Sequence, residues 1–257
     1  MDPIHEKIAR IRTMKPAHRK IAVLTAYDYP VARLVDESGI DIVLVGDSLG
    51  MVVLGFPDTT FVTMEHMLHH CAAVSRGVKE ALIVADLPIG SCETPEAGLA
   101  NSRRLIEAGA HAVKLEGAGT AQISAIVQAG IPLMAHLGML PQRVREEGGY
   151  RVKGKTSTEA AGLVEQARAV EAAGAFAVVL ELVQADIAAQ ISEMLRIPTI
   201  GIGSGAGCDG QVLVIHDLIG LFPWFRPRFA KPEADVAREI RAAVGAFRGR
   251  IQTPGAT

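Results

Sequence analysis

The chain has 257 residues, 49% of them apolar and 21% charged, with a formal net charge of −2. That length is long for one ordinary domain and typical of a (β/α)8 barrel. The near-neutral balance gives no reason to expect nucleic acid or an anionic membrane as a partner, and the apolar share is ample for a core and for subunit contacts.

Cys71, Cys92 and Cys208 are scattered, with no CxxC pair and an odd count, so a reducing compartment fits better than a disulfide framework. Residues 1–20 lack the unbroken apolar stretch of a secretory signal, and no run approaches the ~18 residues of a membrane span. A soluble, cytoplasmic protein is expected. Ile4, Ile8 and Ile11, set among Lys and Arg, predict a short amphipathic helix over about 3–14.

Beyond it, short apolar runs bounded by Gly, Pro or Asp recur at 21–26, 41–46, 82–86, 112–116, 132–136, 177–181, 198–203 and 211–215. Runs of this kind suit strands buried on both faces. Helical patterns lie between most of them. The stretch 94–109 opens with a Thr cap, Pro at the first helical position and Glu96 in the first turn, and it stops at Gly109. The stretch 157–174 is built the same way, and a last helix is expected over about 232–248. Eight strands alternating with helices, without a break in composition, predict one domain over 1–257: an α/β chain closed into a (β/α)8 TIM barrel. A doubly wound open sheet is the competing architecture.

In such barrels the active site lies at the carboxyl ends of the strands. The polar residues there are Tyr27 and Asp28, Asp47 and Ser48, Asp86, Lys114 and Glu116, His136, Glu181, and Ser204. Any one of them has a bland reading, because loops commonly begin with polar residues; the ensemble points to chemistry. Asp47, Asp86 and Glu116 fall one strand–helix unit apart, so neighbouring strands bring three carboxylates together. Their repulsion is most simply offset by a divalent cation. An all-carboxylate set favours Mg2+ or Mn2+ with retained waters over Zn2+.

Lys114 and Glu116 are two apart on one strand and share a face. Lys114 then lies one layer deeper, paired with carboxylates, where it would hold a substrate carboxylate or form a Schiff base; the alternative is an outward Lys snorkelling beneath a helix. Glu181, on the sixth strand, lies roughly opposite the second strand and its Asp47. Its apolar surroundings should raise its pKa and suit it to general-base work, with a salt-bridged structural Glu as the alternative.

Three further features carry less. His66, His69 and His70 have i, i+4 spacing but lack the zincin glutamate, so a polar helix face is the expected reading. GIGSGAGCDGQ matches GxGxxG, yet a strand rather than a helix follows it, which argues against a dinucleotide site. The charged segment 141–157, with Gly148 and Gly149, reads as a lid over the site or as a solvated loop.

With TAYDYP (25–30), VGDSLGMVVLG (45–55), ADLP (85–88), AVKLEG (112–117), HLGMLPQ (136–142), GGYRVKGK (148–155), LEL (180–182) and GIGSGAGCDGQVLVIHD (201–217) in order along nearly its whole length, the chain resembles the ketopantoate hydroxymethyltransferase family. The resemblance implies a barrel of the phosphoenolpyruvate-mutase and isocitrate-lyase group assembled as a homodecamer. It implies that Asp47, Asp86 and Glu116 are the Mg2+ residues, with Mn2+ or another divalent cation as substitutes. Substrate contacts would come from Ser48, Lys114 and His136, together with Asp47 and Asp86, and Glu181 would be the proton acceptor. The implied reaction passes a one-carbon unit from 5,10-methylenetetrahydrofolate to 3-methyl-2-oxobutanoate, giving 2-dehydropantoate for pantothenate and coenzyme A synthesis. Ser204 departs from a commoner Ala, Cys92 and Glu93 replace aromatic and small residues, and FPWFRPRF is distinctive; these put the folate contacts in doubt and leave the chemistry intact. The rival readings are a Mg2+-dependent C–C or C–P lyase of the same barrel group acting without folate, a Schiff-base aldolase through Lys114, and a silent keto-acid-binding barrel.

Overall fold

A computed structural model describes residues 3–252. Eight strands pair in parallel and in chain order into a closed barrel: β1 (Ile21–Thr25), β2 (Ile42–Val45), β3 (Leu82–Asp86), β4 (Ala112–Glu116), β5 (Leu133–Gly138), β6 (Ala177–Glu181), β7 (Thr199–Ile202) and β8 (Gly210–Leu213). Each falls within or beside one of the expected apolar runs, and closure excludes the open doubly wound sheet. The helices are α1 (Pro3–Met14), α2 (Tyr29–Glu37), α3 (Leu49–Val52), α4 (Met64–Gly77), α5 (Pro95–Glu107), α6 (Thr120–Gln128), α7 (Ser157–Ala172), α8 (Ala185–Met194), α9 (Ile215–Leu218) and α10 (Val236–Gln252). The last begins a few residues later than its sequence pattern suggests. By its internal contacts the chain divides into a unit ending at Val212 and a second unit from Leu213 onward, a boundary that no change in composition announces.

The helix starts follow the capping chemistry of the sequence. Thr94 Oγ1 accepts the Ala97 N–H at the head of α5, ahead of Pro95, and Thr156 Oγ1 accepts the Glu159 N–H at the head of α7. These side chains satisfy donors that the first helical turn leaves open.

Alternation along the strands decides what enters the barrel. Ile42 and Leu44 on β2, Leu82 and Val84 on β3, and Ala177 and Val179 on β6 are two apart and belong to one buried cluster. Side chains of that spacing share a face. Ile8, Ile11 and Met14 of α1 join the same cluster, packed beneath the strand residues as a plug at the amino-terminal end. Continuing the alternation upward leads to Asp86, to Lys114 and then Glu116, to His136 and to Glu181. The apolar floor and the polar mouth are thus two levels of one interior, and the floor sets the height at which the charged residues sit.

Ile11 is fully buried. Ile11→Ala is expected to lower stability by about 2–5 kcal/mol through lost contact and an unfilled cavity, measured as a reduced denaturant midpoint. An unchanged midpoint would show that α1 is not part of the core.

Candidate active site

The register of the sheet brings the polar strand ends side by side. Asp86 pairs with Lys114, Glu116 with His136, and Gly138 with Glu181. Lys114 Nζ lies 2.8 Å from Asp86 Oδ1, an ion-pair distance without hydrogen-bond alignment, and both side chains are almost wholly buried. The outward, snorkelling position weighed for Lys114 is therefore wrong: β4 turns it into the barrel. The other Asp86 oxygen, Oδ2, accepts the backbone N–H of Asp47 at 3.0 Å.

His136 stands between two glutamates. Its Nδ1 is 3.6 Å from Glu116 Oε1 and its Nε2 is 3.3 Å from Glu181 Oε2, and neither nitrogen is aligned in a hydrogen bond. Burial, followed by the Lys114 charge, holds the imidazole well below its ordinary pKa. A neutral ring carries one N–H, so it can donate to only one of its two carboxylate neighbours at a time.

Gln142, which the sequence reading left without a role, ties the acidic wall together. Its side-chain amide donates to Asp47 Oδ2 at 2.8 Å and to the Leu87 carbonyl at 3.0 Å. Its backbone N–H donates to Glu116 Oε2 at 3.1 Å. Only its place in HLGMLPQ, directly after β5, hinted at this.

The electrostatics follow from burial. Asp47, Asp86, Glu116 and Glu181 set four carboxylates against one ammonium, Lys114, in a region that excludes water. Desolvation raises the Asp47 and Glu116 pKa values; neighbouring carboxylates add to the rise and Lys114 opposes it. Desolvation likewise brings Glu181 to about 8, against the pull of Lys114 and with a push from Asp86. Lys114 is itself raised, because Asp86, Glu116 and Asp47 outweigh the burial that would lower it.

The backbone around Glu181 is held from several sides. Met139 N–H donates to the Glu181 carbonyl at 2.8 Å, Leu182 N–H to the Ile202 carbonyl at 2.9 Å, and Lys153 N–H to the Leu182 carbonyl at 2.7 Å. Ser204 Oγ donates to the Leu180 carbonyl at 2.7 Å and accepts the Val183 N–H at 2.9 Å, so this uncommon residue grips the end of β6. Leu182 has φ +47°, a left-handed conformation that costs a branched residue about 1–3 kcal/mol.

The remaining candidates divide. Ser48 Oγ lies 2.8 Å from the buried Tyr27 hydroxyl, beside Asp47. Asp28 does not join the site; its carboxylate caps α2 by accepting the Val31 N–H. Two of the clustered histidines have local partners. His66 completes a capping box with Thr63 and His70 Nδ1 lies 2.6 Å from the Tyr27 carbonyl. The segment 141–157 lies against the strand-end loops: Arg145 pairs with Asp58 at 2.8 Å and stacks over Phe61, and Lys153 bridges to Val183.

Among the described residues, no three acidic, histidine or cysteine side chains converge at coordination distance. The donors nonetheless suit a hard cation that keeps much of its water. Asp86 Oδ1 and Glu116 Oε1 are buried carboxylate oxygens without hydrogen bonds, the wall carries excess negative charge, and Mg2+ commonly takes one or two carboxylates directly and several waters.

The closed (β/α)8 barrel is a fold shared with several solved structures. The structure is similar to a putative phosphonomutase of Burkholderia cenocepacia (TM-score 0.69, 17% identity, 96% of this chain and 99% of that one). It is similar also to 2,3-dimethylmalate lyase, itself a member of the phosphoenolpyruvate-mutase and isocitrate-lyase superfamily (TM-score 0.61, 16% identity, 97% and 89%). A phosphonopyruvate hydrolase in complex with oxalate and Mg2+ is a further likeness (TM-score 0.62, 16% identity, 95% and 85%).

Sequence comparison is narrower. The family profile for ketopantoate hydroxymethyltransferase matches residues 5–254. A 3-methyl-2-oxobutanoate hydroxymethyltransferase of Ignicoccus hospitalis is 53% identical over 237 residues, 91% of this chain and 90% of that one. Another, of Dehalococcoides mccartyi, is 50% identical over 253 residues, 97% and 90%. The chain belongs to the ketopantoate hydroxymethyltransferase family, a family of one-carbon transferases.

The raised Glu181 pKa has a consequence for stability. A carboxyl that holds its proton more tightly when folded stabilises the fold below its unfolded pKa, and that stability is lost as pH rises toward the folded value. The metal-free protein is expected to lose stability between the ordinary 4.5 and about 8, and Glu181→Gln to flatten that decline. Unfolding midpoints across this range, compared for the two proteins, test it; parallel pH profiles would refute the assignment.

Proposed function

We propose that this chain transfers a hydroxymethyl group from 5,10-methylenetetrahydrofolate to 3-methyl-2-oxobutanoate, forming 2-dehydropantoate for pantothenate synthesis in the cytoplasm. The observation that carries the reading is the buried wall of Asp47, Asp86 and Glu116 facing Glu181 across His136, with oxygens on Asp86 and Glu116 that accept no hydrogen bond. Relatives 50–53% identical narrow the substrate.

Asp47, Asp86 and Glu116 would hold Mg2+, directly or through its waters. When bound, the ion supplies Lewis-acid polarisation of the keto acid's carbonyl, which acidifies the C3 proton. Lys114, fixed by Asp86, offsets the substrate carboxylate. Ser48, positioned by Tyr27, and His136 are its hydrogen-bonding contacts. Glu181 removes the C3 proton: burial makes it a strong base once ionised, and the bonds around Leu182 hold it still. The resulting enolate attacks the methylene carbon of the folate iminium, and water completes the hydroxymethyl group as tetrahydrofolate leaves.

A lyase of the same fold would share the enolate and omit the folate. The lyase-type neighbours share only 16–17% of their residues with this chain, a likeness of fold alone. The Schiff-base reading is disfavoured by the Lys114–Asp86 ion pair, which keeps the amine protonated.

Proton NMR in D2O with Mg2+ should show exchange at C3 of 3-methyl-2-oxobutanoate, slowed about 10²-fold or more in Glu181→Gln. Exchange that persists in that variant would sink the base assignment. Exchange without dehydropantoate after adding methylenetetrahydrofolate would instead favour the lyase.

The proposal includes a homo-oligomer, decameric by the family resemblance. Ile240, Val244, Phe247 and Ile251 recur at helical spacing along one face of α10 and are 47–65% exposed, an apolar stripe suited to a second copy of the chain. Sedimentation should give ten times the chain mass, and Phe247→Asp a smaller species; a monomeric wild type would refute the assembly.

A further inference from the structure

Gln142 touches both of the acidic residues between which a cation would sit, and it touches one oxygen of each. The amide nitrogen takes Asp47 Oδ2 and the backbone N–H takes Glu116 Oε2. Glu116 Oε1 is left buried and without a hydrogen bond, and on Asp47 the amide takes Oδ2 alone. The third bond, from the amide to the Leu87 carbonyl directly after Asp86, fixes the amide relative to β3. One residue on the turn after β5 is therefore anchored to the ends of β2 and β3 through its side chain and to the end of β4 through its backbone.

The backbone leading to Gln142 leaves little room for adjustment. Gly138 ends β5 at φ +95°, and a Cβ there would lie 2.3 Å from the Glu181 carbonyl oxygen, so the chain passes hard against the catalytic strand end. Met139 N–H then bonds that same carbonyl, and Pro141 opens the short turn Pro141–Arg143 that carries Gln142 over the mouth. Past the turn, Arg145 is held by Asp58 and by the Phe61 ring. Gln142 is thus fixed at both ends of its segment and is not a surface side chain that happens to reach inward.

A carboxylate has two oxygens, and a ligand is effective only if the correct one faces the metal. Hydrogen-bond donors behind a ligand set that choice, and their loss commonly weakens metal binding about 10–100-fold. We propose that Gln142 is a positioning residue for the cation site: by occupying Asp47 Oδ2 and Glu116 Oε2 it presents Asp47 Oδ1 and Glu116 Oε1 to the ion or its waters. The inference rests on the reading that a divalent cation binds this wall. It also joins the segment 141–157 to the cation, because the residue that orients the ligands is the first polar side chain of that segment.

Mn2+ serves as the probe, with the free ion followed by electron paramagnetic resonance in the full-length wild type, Gln142→Met, Gln142→Ala and Asp86→Ala. Met keeps the length of Gln without the amide donors, and Ala removes the side chain; circular dichroism melting shows which variants fold. Gln142→Met is expected to bind Mn2+ about 10–100-fold more weakly than wild type, with the metal concentration for half-maximal turnover raised by the same factor and kcat largely regained at saturating Mn2+. Mn2+ affinity in folded Gln142→Met or Gln142→Ala within about twofold of wild type would overturn the role of Gln142, as would a loss of kcat that saturating Mn2+ does not restore. Failure of the cation reading itself looks different: wild type takes up no Mn2+, or Asp86→Ala binds it as tightly as wild type.

Discussion

The constraint on which the structure depends is an excess of buried negative charge. Two like charges about 4 Å apart repel by roughly 4 kcal/mol at the effective dielectric of a protein surface, and by more as water is excluded. Four carboxylates sit in this mouth with one lysine, and the histidine among them is held neutral. Lys114 pairs with Asp86 and offsets the other three carboxylates only in part. The remaining excess can be removed by protons or by a cation, and the two are mutually exclusive occupants of the same oxygens. The upward shifts of Asp47, Glu116 and Glu181 describe the protonated solution. A cation would displace those protons and favour the ionised form of the carboxylates around it.

The fold makes this arrangement unavoidable once the barrel closes. A (β/α)8 interior is filled in layers, and the lower layers here are apolar and sealed by α1. Charged residues on the inward face can then occur only at the top, where neighbouring strands hold them close. The buried salt bridge between Lys114 and Asp86 is weak as a source of stability, because desolvating both groups costs about as much as their attraction returns. Its value is positional: it prevents Lys114 from pairing with Glu116 or Glu181 and keeps the ammonium at a fixed depth.

Much of this was legible in the sequence, for reasons of period. Strand ends could be found because Gly, Pro and Asp close each apolar run, and the two-residue spacing of Lys114 and Glu116 put them on one face. What could not be read depends on neighbours in space. His136 looked like one more polar strand end; its place between Glu116 and Glu181 comes from the register of β4, β5 and β6. Gln142 lies within a three-residue turn that has no periodicity to read. Asp28 misleads in the opposite sense, because a residue after a strand is often the cap of the next helix, and capping uses the same side chains as catalysis. The boundary at Val212 lies inside β8, where the sequence pattern is that of an ordinary strand.

The end of β6 shows how the acidic mouth and the rest of the chain constrain one another. A base must meet its proton at one distance and angle, and a glutamate at a strand terminus has a free backbone on one side. Here that freedom is removed by bonds from three loops: Met139 after β5, Ser204 after β7 and Lys153 in the segment over the mouth. The left-handed Leu182 is the geometric result, since the chain must turn sharply to let Leu182 face Ile202 and Lys153 at once. Each bond is worth about 1 kcal/mol, and together they offset a conformational cost of about 1–3 kcal/mol. Ser204 supplies two of these bonds from one hydroxyl, so a single side chain on the loop after β7 stiffens the β6 end on both sides of Leu182.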